Sequence, residues 1–120
     1  MPVPILKQGD LLIATIVAAL SDDDLIQMRD DLAKRIGVQR ARGVVIDVTA
    51  LDVLDSFATR TLRGIAYTAR LRGAETVIVG IQPEVAFAMV QLGLTMEGVA
   101  TALDLEAGLA LLAARRKLGP

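Results

Sequence analysis

Apolar positions along this chain fall into two kinds of pattern, and the two alternate. Short unbroken runs come first: "PVPIL" and "LLIATIV" flank "KQGD", whose Gly9 and Asp10 suit a tight turn. The spacing predicts two antiparallel strands joined as a hairpin. From Ser21 the pattern becomes helical: after three aspartates, Leu25, Met28, Leu32 and Ile36 recur at three- and four-residue steps, and Gly37 stands where such a helix would end. The acids of its first turn complement the helix dipole. "GVVIDV", residues 43–48, is almost continuously apolar, as expected of a strand covered on both faces, and is read as the central strand. From Phe57 to about Arg72, Ala58, Leu62, Ile65, Ala66 and Ala69 share one helical face, while Arg60, Arg63, Tyr67 and Arg70 share another. "ETVIVG" repeats the buried-strand pattern, Pro83 suits the first position of a third helix, "GVATAL" holds a short last strand, and a final helix runs from Asp104 to about Leu118.

Strands alternating with helices predict an α/β domain with a mixed, mostly parallel sheet and an N-terminal β-hairpin. The runs "GVVIDV" and "ETVIVG" are expected as adjacent parallel strands, each followed by a helix, with a right-handed crossover of roughly 25 residues between them. One domain over residues 1–120 is the expected organisation, since 120 residues with 53% apolar content suffice for one core and are too few for two. "LLIATIVAAL" is half the roughly 20 residues a bilayer span requires, and no secretory pattern opens the chain, so no membrane role and a cytoplasmic setting are expected.

Composition removes much chemistry. A net charge of −1 argues against nucleic acid as a partner, because that affinity comes from many cations neutralising phosphates. The chain has no His and no Cys, which excludes thiol nucleophiles, imidazole bases and the usual zinc sites. Gly64, Gly73, Gly80 and Gly93 stand singly, with neither a P-loop nor a dinucleotide fingerprint, so no cofactor is expected. Asp47, Asp52 and Asp55 invite a metal or acid–base reading, but acids at strand ends commonly cap helices and shape loops, and no second cluster offers further ligands. No metal site and no enzyme activity are expected.

What remains is Ser56, in "LDVLDSFATR", directly after an acid and at the start of a predicted helix. Ser and Asp are both favoured helix caps, so Asp55 and Ser56 could serve only to start that helix. Arg60 and Arg63 lie four and seven residues further on, on the same side, within reach of a phosphate carried by Ser56. Taken alone, Arg60, Arg63 and Arg70 read as an ordinary solvated helix face rather than a docking stripe.

The runs "GVVIDVTALDVLDSFATRTL", "GAETVIVGIQPEVAFAMVQLGL" and "ATALDLEAGLALL" resemble the STAS domain, the fold of anti-sigma-factor antagonists. Within that family the chain is similar to the small single-domain scaffold proteins of the bacterial stressosome. The resemblance runs from the first strand to the last helix, and its most specific parts are "DSF" and "GIQPEVA". It implies that Ser56 is phosphorylated by a partner switch serine/threonine kinase, which brings the ATP and the catalytic base. It further implies self-assembly together with paralogous sensor-bearing STAS scaffolds into a large shell, sequestration of the kinase until phosphorylation releases it, and a counteracting phosphatase. Asp55, Phe57, Thr59, Arg60 and Arg63 are the expected partner-binding residues around Ser56. The family also contains free antagonists that bind an anti-sigma kinase directly, which is the alternative reading. Thr49 and Thr59 stand as further candidates for modification. No sensor extension precedes the first strand, so sensing through one is not expected of this chain.

Overall fold

The computed structural model describes residues 3–118. Its elements are β1 (Ile5–Gln8), β2 (Leu11–Thr15), α1 (Asp22–Gln39), β3 (Gly43–Asp47), α2 (Ser56–Leu71), β4 (Glu75–Val79), α3 (Pro83–Gln91), β5 (Ala100–Ala102) and α4 (Leu105–Leu118). The five strands lie in one sheet in sequence order, with β1 antiparallel to β2 and every later neighbour parallel. The hairpin, the central position of β3 and the parallel β3–β4 pair are those expected from the apolar runs.

The continuous apolar runs follow from two-sided burial. Successive strand residues point to opposite faces. Leu12, Ala14, Val44, Ile46 and Ile78 enter the larger core with Leu25, Met28, Leu32 and Ile36 of α1, Leu62, Ile65 and Ala69 of α2, and Val85 and Met89 of α3. Their neighbours Leu11, Ile13, Val45, Val77 and Val79 pack on the opposite face with Leu112 of α4. Three crossover helices therefore share one face, as successive crossovers of one hand require, and α4 closes the other.

Four boundaries differ from the sequence reading. The first strand is Ile5–Gln8 rather than the run "PVPIL"; its ladder is extended by one bond, from the Thr15 amide to the Pro4 carbonyl, while Pro2 lies outside the described residues. The second strand stops at Thr15, two residues before its apolar run ends. The last strand is only Ala100–Ala102.

The fourth difference is at Gly37, which does not end α1. The helix continues to Gln39 and closes at Arg40 in the left-handed conformation, φ 51°. A Cβ on Gly37 would meet only the guanidinium of Arg72, the movable end of an exposed side chain just after α2. At its other end α1 begins as expected: the Ser21 hydroxyl accepts from the Asp24 amide, and the Asp24 carboxylate accepts from the Ser21 amide in a capping box.

Candidate functional site

The loop over residues 48–55 leaves the C-terminal end of the central strand and delivers Ser56. It is held at several points. Asp47 Oδ1 accepts from the Thr49 amide at 2.9 Å and from the Thr49 hydroxyl at 2.6 Å, the Leu51 amide donates to the Val48 carbonyl at 3.0 Å, and Leu51 and Leu54 are buried in the main core. From the neighbouring strand end, Gln82 Nε2 donates to the Thr49 carbonyl at 2.6 Å. Gly80 packs against Thr49 so closely that a Cβ there would overlap the threonine hydroxyl, and its φ of 84° lies where side chains are strained. Gly80, Gln82 and Thr49 form a supporting group that no sequence motif marks beyond a glycine directly after a buried strand.

The helix cap is Asp55 rather than Ser56. Asp55 has extended backbone and its Oδ1 accepts from the Ala58 amide at 2.8 Å. Ser56 is the first helical residue, is exposed, and its hydroxyl makes no hydrogen bond among the described residues. The ordinary explanation for a serine here, capping, is therefore met by its neighbour. Replacing Asp55 by Ala is expected to cost about 1 kcal/mol of stability through the lost cap, read by urea unfolding.

Of the three loop acids, Asp47 shapes the turn, Asp55 caps the helix and Asp52 is exposed. Among the described residues no group of three or more acidic side chains is placed to hold a metal ion.

The remaining expected contact residues divide. Arg60 is exposed and has no side-chain partner among the described residues, whereas Arg63 donates to the Thr95 hydroxyl at 3.3 Å. Phe57 is half-buried against the main core, leaving only part of its ring to a partner. Thr59 is a correction: it is 1% exposed, so it offers nothing to a partner or to a modifying enzyme in the folded state. The step of three residues from Ser56 turns it onto the apolar face beside Ala58 and Leu62. Its hydroxyl finds no hydrogen-bond partner there. Thr59→Val should accordingly raise stability by about 1 kcal/mol, measured as a shift in the urea midpoint, because it removes an unpaired buried polar group.

Below Ser56 the stripe of α2 continues through Arg60, Tyr67 and Arg70, which are exposed, and Arg63, which is half-buried. Arg70 donates to the Gly98 carbonyl, and with the Arg63–Thr95 bond this fixes the segment after α3 across from the stripe. An open groove of about 500 Å³ lies between the two, with Gly64 on its α2 side. No motif in the sequence accounts for Gly64, although a glycine inside a helix costs roughly 0.5–1 kcal/mol relative to alanine and so marks a position with another demand on it. On the other flank of the loop, Val53 is exposed at 71% beside an apolar cleft of about 150 Å³.

The family profile for the STAS domain matches residues 3–107. A structure of RsbS from Moorella thermoacetica, in a variant with a serine replaced by glutamate, superposes with a TM-score of 0.82 and 39% identity, over 96% of this chain and 97% of that one. A chain from the molecular architecture of the stressosome, described as a signal integration and transduction hub, matches with a TM-score of 0.75 and 38% identity, over 95% and 99% of the two chains. The RsbT co-antagonist protein RsbRA of Bacillus subtilis is 25% identical over 100 residues, and the chain spans 36% of that protein's length. Among the described residues no helix is long and apolar enough to cross a membrane. The sheet order, the helix that starts at an uncommitted serine and the near full-length likeness to RsbS lead to one assignment: the chain belongs to the STAS domain family, with the anti-sigma-factor-antagonist fold and RsbS among its similar proteins.

Proposed function

We propose that this protein is a non-enzymatic scaffold of a stressosome-type assembly that sequesters a switch serine kinase and releases it when Ser56 is phosphorylated. One observation carries the reading: an exposed hydroxyl, relieved of capping by Asp55, is presented by a tightly held loop at the start of α2. In the transfer, the Ser56 oxygen forms a bond to the γ-phosphorus of ATP, the bond from that phosphorus to the β,γ-bridging oxygen breaks, and ADP leaves. The serine proton passes to a base of the kinase. The acceptor chain needs no acid or base of its own.

The partners in this reading are the kinase, further copies of the chain, sensor-bearing paralogues of the RsbR type and a phosphatase that resets Ser56. Similarity to a stressosome chain and to the RsbT co-antagonist RsbRA supports assembly with further copies and with paralogues. A position inside the cytoplasm fits such an assembly. The test is to incubate the protein with its cognate kinase and ATP, map the phosphate by mass spectrometry, and measure particle size with and without the paralogue. One phosphate on Ser56 and a large mixed particle are expected; a small free complex with the kinase would instead favour a free antagonist.

A further inference from the structure

The groove beside α2 poses a question that the fold does not answer. Gly64 sits in the middle of that helix, exposed, and a Cβ built on it would meet nothing within 4 Å. Packing within the chain therefore gives no reason for a residue that weakens a helix relative to alanine. A bare stretch of helix backbone does permit close approach by something outside the chain.

The surroundings specify its chemistry. Arg60, Arg63 and Arg70 line the groove with Tyr67, against one carboxylate, Glu97. Two of the guanidinia are already held, Arg63 by the Thr95 hydroxyl and Arg70 by the Gly98 carbonyl, so little freedom is lost when their remaining N–H groups engage a ligand. Arg60 has no partner among the described residues. Planar guanidinia in this arrangement favour carboxylates, which they can bind through paired hydrogen bonds. Three arginines on a chain of net charge −1 are too few to grip a polynucleotide.

Position specifies the partner. On a helix, residues at steps of four, seven and eleven return to the same side, so Ser56, Arg60, Arg63 and Tyr67 form one continuous stripe. A protein that covers Ser56 in order to phosphorylate it lies over the first turns of this stripe. We infer that the groove between α2 and residues 95–99 is a docking site for an acidic segment of the switch kinase, with its backbone passing over Gly64 and its carboxylates paired with Arg60 and Arg63. This rests on the proposed phosphorylation of Ser56 and adds to it a release mechanism: the phosphate arises one helical turn from Arg60 and competes with the docked carboxylates for that cation.

The experiment measures binding of the cognate kinase to wild-type protein, Gly64→Ala, Gly64→Leu and Arg60→Glu, with phosphate on Ser56 quantified for each by mass spectrometry. Gly64→Ala should melt higher than wild type, so its fold is intact, and should still weaken binding, because its Cβ stands where the docked backbone passes. Gly64→Leu, which fills the groove, and Arg60→Glu, which reverses a charge no internal contact uses, should each weaken binding tenfold or more. Wild-type affinity should fall with added salt, and the Arg60→Glu variant should show a shallower salt dependence. Affinities of both variants within twofold of wild type, with Ser56 still phosphorylated, would overturn the docking site and leave the phosphorylation reading standing. Loss of self-association by the variants with unchanged kinase affinity would overturn it too, and assign the groove to a second copy of this chain. A wild-type protein that neither binds the kinase nor accepts phosphate would remove both readings together.

Discussion

Ser56→Ala protein is expected to accept no phosphate from the switch kinase while unfolding within about 0.5 kcal/mol of wild type. The first half follows from the loss of the acceptor oxygen. The second is a consequence of the cap geometry. A serine that capped α2 would leave the helix poorer by about 0.5–2 kcal/mol on replacement, the loss that the pairing of Asp55 with Ser56 in sequence would suggest. Because Asp55 Oδ1 holds the Ala58 amide and the Ser56 hydroxyl holds nothing among the described residues, the substitution removes no stabilising bond. Alanine at a first helical position also has high helix propensity. Phosphate stoichiometry by mass spectrometry and urea unfolding measure the two halves. Stoichiometric phosphate on the Ser56→Ala protein would show that another hydroxyl is the acceptor. Thr49 would then be the candidate, since Thr59 is buried.

The architecture was legible because its signals are local and periodic. Runs such as "GVVIDV" are apolar at both parities, and both parities are buried, one against α1 to α3 and the other against α4. The capping box at Ser21 and Pro83 at the first turn of α3 were likewise readable from residue type and position. What escaped depends on contacts between elements distant in sequence. Gly80 and Gln82 acquire meaning only from Thr49, over thirty residues away. Thr59 shows the limit within a single helix: polarity suggested a surface position, but its helical phase, next to Leu62 and Ala66, puts it inside. At the site itself the sequence singled out Ser56 and the arginine stripe, while the division of labour between Asp55 and Ser56 required coordinates.

Phosphorylation of Ser56 is expected to weaken the kinase complex by a hundredfold or more without unfolding the domain. The modification adds roughly −1.5 to −2 charges at the start of α2, where the positive end of the helix dipole tolerates an anion. The fold therefore survives. A docked partner faces a different balance, since Asp52 and Asp55 are already exposed beside the serine, and the phosphate completes a knot of negative charge. Desolvating or opposing such charges at an interface costs several kcal/mol, and each 1.4 kcal/mol is tenfold in affinity. Ser56→Asp should reproduce this only in part, because a carboxylate carries one charge where the phosphate carries nearly two. Contacts with the paralogous scaffold should change less wherever they use other surfaces of the domain. The decisive measurement is the affinity of the kinase for unmodified and for Ser56-phosphorylated protein, in the reconstituted assembly at matched ionic strength. Sequestration and release predict binding weaker by a factor of about one hundred or more after phosphorylation, whereas equal affinities would contradict the mechanism even with Ser56 fully phosphorylated.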